Sequence, residues 1–261
     1  MPKICHGKKT RTFTLMLLLL ITLSLNIYLV RAIGWTSETQ LTDFPDAWDV
    51  SPSLIQTNNG WVWVFWASDK DAVTNELYWI NSSNYGASWS SSPTRITNNA
   101  FQDVSPSVIQ TSNGWLWLFW ATERTYYDEN WEPYDDWEIF CKYSTNYAQS
   151  WSPERQLTDY RGGDADPHAI QDSQGAIWVV WNRQIGNQTD IYYKTTSDYG
   201  SHWSADTPLV THISWDQRPT IMQTWNSWIW VFWQSYRDGN YEIYCKNSTN
   251  YGQSWSNERR I

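Results

Sequence analysis

Hydrophobic and polar positions along this chain fall into one block written four times. Each block opens on an alternating stretch: DVSPSLIQTNNG at 49–60, DVSPSVIQTSNG at 103–114, DADPHAIQDSQG at 164–175 and DQRPTIMQTWNS at 216–227. A nearly continuous apolar run follows, GWVWVFW, GWLWLFW, GAIWVVW and SWIWVFW, ending at Trp66, Trp120, Trp181 and Trp233. Alternation returns in ELYWINS, EIFCKYS, DIYYKTT and EIYCKNS, and TRIT, RQLT, PLVT and RRI close the blocks. Runs this short, rich in β-branched and aromatic residues and punctuated by Gly, Asn and Ser, predict strands.

Each block therefore reads as four antiparallel strands. The first is predicted to start at its proline (Pro52, Pro106, Pro167, Pro219), where a first strand residue loses no ladder donor. A turn such as Asn58-Asn59-Gly60 leads into the second strand. That strand is apolar on both faces, so its sheet needs cover on both sides. A four-stranded sheet that recurs in register and is sandwiched between its neighbours is a propeller blade. The expected fold is all-β: a β-propeller domain over 33–261 with four blades present, as a four-bladed ring or as part of a six-bladed one. TQLT at Thr39–Thr42 repeats the closing stretch and is expected to form a leading strand.

Between the third and closing strands stands a second repeated element: NSSNYGASW (81–89), YSTNYAQSW (143–151), TTSDYGSHW (195–203) and NSTNYGQSW (247–255). Its opening hydroxyl residues are Ser82, Ser144, Thr196 and Ser248, at spacings of 62, 52 and 52. Hydroxyl and Asx side chains bond the backbone of a tight turn, Gly supplies an unusual φ, and Trp packs beneath. Asn stands for Asp in three copies and makes the same acceptor bonds without charge. That argues against a metal site, and no metal or cofactor is expected.

Residues 1–32 form a separate segment. Lys3, Lys8, Lys9, Arg11 and Arg31 flank or precede an apolar run from Leu15 to Val30, no acid is present, and Val30-Arg31-Ala32 fits a small-x-small cleavage site. This is the layout of a signal peptide, or of an N-terminal anchor if it is retained, and it predicts a secreted or cell-surface protein. The remaining chain holds 13 Lys and Arg against 27 Asp and Glu, a net of −14. Such a surface repels nucleic acid and anionic membranes, so neither is an expected partner beyond the anchor itself. Its two cysteines, Cys141 and Cys245, occupy the same place in different blocks and are predicted to be free and buried.

The repeated turn resembles the Asp-box of the sialidase (BNR) repeat, Ser-x-Asp-x-Gly-x-x-Trp, over roughly Thr39–Ile261. In that family these turns face away from the active site, so function is expected on the opposite face. The loops of that face are the lead-ins to the first strands and the links from second to third strand. In register they hold Asp49, Asp103, Asp164 and Asp216, whose repetition suggests loop architecture. The positions that break register are the site candidates. For catalysis they are Asp166, Tyr160, Tyr236 and Glu123; for ligand binding, Arg183, Arg218, Arg237, Arg124, Trp215 and Trp131. Sialidases hold the substrate carboxylate with three arginines, protonate with an Asp and use a Tyr nucleophile paired with a Glu. The resemblance thus casts Arg183, Arg218 and Arg237 as a triad, Asp166 as acid, and Tyr160 or Tyr236 as nucleophile, although the family's Arg-Ile-Pro motif is absent. Acidic, basic and aromatic side chains around a propeller mouth suit a sugar. Three functions follow: a glycan-binding propeller, an exo-sialidase or related glycoside hydrolase completed by further blades, or a scaffold for protein contacts.

Overall fold

A computed structural model describes residues 37–71, 73–127 and 130–261; the predicted leader, residues 1–32, lies outside them. The described residues contain no helix and form four four-stranded antiparallel sheets. Blade 1 holds β1 (Asp49–Gln56), β2 (Val62–Ser68), β3 (Glu76–Ser82) and β4 (Thr94–Arg95). Blade 2 holds β5 (Gln102–Gln110), β6 (Leu116–Tyr127), β7 (Pro133–Ser144) and β8 (Arg155–Gln156). Blade 3 holds β9 (Asp164–Gln171), β10 (Ile177–Ile185), β11 (Gln188–Thr196) and β12 (Thr207–Val210). Blade 4 holds β13 (Asp216–Gln223), β14 (Ile229–Ser235), β15 (Glu242–Ser248) and β16 (Arg259–Arg260). This is a β-propeller with four blades. The innermost strands β1, β5, β9 and β13 pack side by side in chain order, and no comparable packing joins β13 to β1.

Two expectations change. The first strands begin three or four residues before the prolines, at the in-register Asp residues or, in β5, one residue earlier at Gln102, and each carries a bulge on the way. Ser51, Ser105, Asp166 and Arg218, each just before its proline, take φ of 51–54°. This left-handed backbone breaks the ladder locally, so proline sacrifices no donor there. Thr39–Thr42 forms no strand.

The doubly apolar second strands sit where their composition requires. β10 is buried from Ile177 to Arg183, and β6 from Leu116 to Thr122. Three clusters fill the spaces between successive blades, such as Trp117, Phe119 and Ile139 against Ile177, Val179 and Trp181. Polar clasps repeat at each junction. The Oε1 atoms of Gln110, Gln171 and Gln223 accept from the backbone N–H of Asn58, Ser112 and Ser173 in the preceding blade, at 2.6–2.7 Å. Lys142, Lys194 and Lys246 donate across the junction to the carbonyls of Ile96, Leu157 and Leu209. Ser53 and Ser107 accept from Val108 N–H and Ala169 N–H; in the third copy His168 Nδ1 accepts from Ile221 N–H at 3.2 Å. His168 is thus a junction residue, and burial lowers its pKa toward the neutral form this bond needs.

The outer faces of the end blades stay open. Leu54 is 71% exposed on blade 1, and Met222 and Ile243 are close to half exposed on blade 4. Cys141 and Cys245 are free and buried in separate blades, and burial pushes the Cys141 thiol up to about 12.

Candidate functional site on the rim face

The repeated turns fix one face of the propeller. In the first copy Ser82 Oγ donates to Asn84 Oδ1 (2.9 Å) and accepts from Gly86 N–H (2.8 Å), while Asn84 Oδ1 accepts from Ser88 N–H (2.9 Å). The second and fourth copies repeat this through Asn146 and Asn250. The amide nitrogen of each Asn donates to the Ser four residues on. In the third copy Asp198 meets the ring of His202 at 2.7 Å instead. The tyrosines between them, at φ of 51–59°, include Tyr147, Tyr199 and Tyr251, which reach Asn58, Ser112 and Ser173 in the preceding blade. These residues are occupied by the turn and by the blade junction.

On the rim face the in-register carboxylates are occupied as well. Asp49, Asp103 and Asp216 accept from the indole N–H of Trp66, Trp120 and Trp233 at 2.9–3.1 Å, tying each first strand to its second. In blade 3, Asp164 receives Arg183 Nε and Nη2, both at 2.7 Å. Arg183 also reaches Asp206 at 2.5 Å and lies between the rings of Tyr160 and Tyr192, at 4.3 and 4.5 Å. Burial works against its charge, but Asp164 and Asp206 outweigh burial and hold it firmly protonated. Arg237 pairs with Asp216 and Glu258 over the ring of Tyr244. Arg124 pairs with Glu154 over Phe140. A cation laid across a third-strand aromatic and tied to an acid is a recurrent blade device.

Arg183, Arg218 and Arg237 therefore occupy three different settings, two of them internal ion pairs. Arg218 is exposed at the central mouth, a cleft of about 180 Å³ that it shares with Ser51, Ser105, Asp166 and His168. There Ser105 Oγ donates to Asp166 Oδ1 at 3.0 Å. The bulge aims these residues at the mouth, and it is the place where four equivalent positions diverge into Ser, Ser, Asp and Arg. A left-handed non-glycine residue costs of order 1–3 kcal/mol and tends to persist at functional positions.

The other candidates lie off the axis. Tyr160 donates its N–H to Glu138 and stacks on Arg183, within the blade 3 ion-pair cluster. Glu123 is half-buried on β6 between Gln102 and Trp137, where the long β6–β7 hairpin departs. Trp131, at the tip of that hairpin, is 80% exposed and 6.2 Å from Tyr127. Trp215 and Tyr236 come together with their ring centroids 5.9 Å apart. Trp215, with Gln217 and Tyr241, borders a cleft of about 400 Å³ between the β10–β11 hairpin and blade 4.

Sequence reasoning missed three features here. Tyr241, which packs on Tyr236, and Gln217 line this cleft beside Trp215 and stand at aligned positions whose residue changes from block to block (Asn75, Trp137 and Thr189; Val50, Val104 and Ala165), so no repeated residue marked them. The four-fold bulge had one signal, a variable residue held immediately before an invariant proline. Glu138 is buried beneath Thr158 and Tyr160, and burial raises it to about 8 with help from Asp164 and Asp136. In blades 1 and 4 its counterparts Glu76 and Glu242 meet Arg95 and Arg260, whereas Gln156 stands at that place in blade 2.

No family model matches this sequence, and no curated protein matches it by sequence. Comparison of folds is informative. A protein of unknown function from Dyadobacter fermentans superposes over 81% of this chain and 68% of its own length, with a TM-score of 0.65 and 15% identity. The NanB sialidase of Streptococcus pneumoniae superposes over 82% of this chain with a TM-score of 0.63 and 10% identity. A Penicillium chrysogenum α-L-arabinanase gives 82%, 0.62 and 14%. The chain spans about half the length of NanB, 52%, and 66% of the arabinanase. At these identities the likeness speaks for architecture, and in architecture the chain is a β-propeller of the kind found in sialidases and arabinanases.

Proposed function

We propose that this chain is an exported propeller that binds carbohydrate on the face opposite its Asp-box turns. One observation carries the reading: the exposed side chains of the rim loops differ from blade to blade, while the turns of the opposite face repeat. There Asp166 and Arg218 enter the mouth, and Trp131, Trp215 and Tyr236 stand exposed. Exposed aromatic rings next to hydroxyl, amide and charged groups are the usual constituents of a sugar site. The leader at 1–32 supports export to the cell surface or medium.

The test is binding of the full chain to a glycan array. Binding that is lost in Arg218→Ala or Trp215→Ala, with thermal unfolding unchanged, is the expected result. Recovery of a protein partner with no glycan bound would replace the reading with a scaffold function. A second reading, glycoside hydrolysis, draws on Asp166 beside Ser105 at the mouth and on the fold shared with NanB. Turnover of a fluorogenic sialoside that disappears in Asp166→Asn and Arg218→Ala would establish it.

A further inference from the structure

The cleft beside Trp215 differs in chemistry from the central mouth. Its walls are the tight β10–β11 hairpin, with Gln184, Asn187, Gln188 and Thr189, and blade 4, with Trp215, Gln217 and Tyr241. None of its lining residues carries a formal charge. The nearest carboxylate in the hydrogen-bond network, Asp190, is buried and engaged by Gln188 Nε2 and His212 N–H. By contrast, Arg218 and Asp166 place opposite charges in the mouth.

The aromatic wall is fixed before any ligand arrives. Trp215 Nε1 donates to the carbonyl of Asn187 at 2.9 Å, and its own carbonyl accepts from Tyr236 N–H at 3.1 Å. Tyr241 donates to Gln217 Oε1 at 3.2 Å and meets Tyr236 edge-on, with centroids 5.1 Å apart. Trp215 and Tyr241 nevertheless keep nearly half their surfaces exposed, 49% and 46%. A rigid, half-bare aromatic platform stacks on the CH face of a sugar ring with little ordering cost. Side-chain amides then supply both donors and acceptors for hydroxyl groups. The cleft volume of about 400 Å³ falls in the range of small-molecule sites, roughly 300–1,000 Å³.

We propose that this cleft is a second, off-axis subsite for an uncharged sugar residue, stacked on Trp215 and Tyr241 and hydrogen-bonded by Gln184 and Gln217. The inference rests on the glycan-binding reading above and narrows it. An acidic sugar needs a cation for its carboxylate, and this cleft holds none; a neutral ring needs only the platform and the amides.

Calorimetric titration of the full chain with a panel of neutral methyl glycosides, and separately with N-acetylneuraminic acid, tests this. Neutral-sugar binding should be insensitive to salt. It should weaken about tenfold, a loss of about 1.4 kcal/mol, in Trp215→Ala and in Gln217→Ala. Gln217→Ala removes no core contact and keeps the test valid if Trp215→Ala folds poorly. Binding of the acidic sugar alone, abolished by Arg218→Ala and weakened by salt, would overturn the subsite and leave the glycan-binding function intact. No binding to either class would overturn both.

Discussion

The two faces of this propeller are built from the same four repeats and treat them in opposite ways. On the face of the repeated turns, Ser82, Ser144, Thr196 and Ser248 close near-identical hydrogen-bond patterns, and even the Asp198–His202 exception pairs within its own turn. On the rim face the frame repeats, with an Asp at the start of each first strand and a bulge before each proline, but the side chains presented diverge. A cleft of about 520 Å³ between blades 2 and 3 around Trp115, Tyr143 and Arg155 belongs with the repeated features. A counterpart recurs in blade 4 around Trp230, Asn247 and Arg259. Size therefore does not separate a site from the frame in a repeat protein, and the proposed site rests instead on exposed residues that depart from register.

The sharpest way to break this comparison is to remove a residue of the rim face that serves the frame. Asp164→Ala leaves Arg183, 5% exposed, with Asp206 as its remaining anion. A loss of about 3–5 kcal/mol in denaturant unfolding is expected. An effect under 1 kcal/mol, against the roughly 3–5 expected of a broken buried pair, would return Arg183 to the list of ligand groups.

The face of the repeated turns offers a graded pair. At Gly252, φ is +78° and a Cβ would lie 2.3 Å from the ring of Trp178. Gly252→Ala should cost about 3 kcal/mol, combining overpacking with backbone strain. Gly86 has φ +85°, and a Cβ there meets only Trp89 at 3.8 Å. Gly86→Ala should cost about 1 kcal/mol, from backbone conformation alone. Ala148, at φ 59° in the second copy, occupies the same position with that side chain. Equal costs at both glycines would remove the junction role assigned to this turn.

Glu138 probes the frame through pH. Its folded pKa of about 8 lies above its ordinary 4.5, so the folded chain keeps a proton that the unfolded chain releases. Stability from this group is fully present below about pH 4.5 and falls as pH rises to about 8, by at most about 1.4 kcal/mol per unit. Glu138→Gln retains acceptance from Tyr160 N–H and can bond Thr158. The variant should flatten the unfolding midpoint across that window; an unchanged slope would place the titration elsewhere. The smallest effect is expected where register breaks. Arg218→Ala should alter stability by no more than about 0.5 kcal/mol while changing what the mouth binds.

Most of the fold was legible because repetition multiplies weak signals. The doubly apolar runs ending at Trp66, Trp120, Trp181 and Trp233 required sheets covered on both sides, and the turns between them located the face. The bulges were hidden, since the left-handed state of Ser51 or Asp166 is imposed by neighbouring blades and not by its own propensity. The site was legible only as a set of loops. Arg183, Arg218 and Arg237 look alike in sequence, yet opposed carboxylates claim two of them, and pairing across a sheet depends on which strand faces which. Trp215 stood out by itself, but its cleft needed Tyr241 and Gln217 from separate segments.

The junction clasps have a consequence for how the molecule comes apart. Gln110, Gln171 and Gln223, with Tyr147, Tyr199 and Tyr251, reach only the blade immediately before their own. Stability is then close to a chain of nearest-neighbour couplings, like beads that each hold only the next. Among the described residues, blades 1 and 4 have one such coupling and the middle two have a pair. Amide protons should accordingly exchange first in β1 and β15 and last in β6 and β10, so that opening runs inward from both ends.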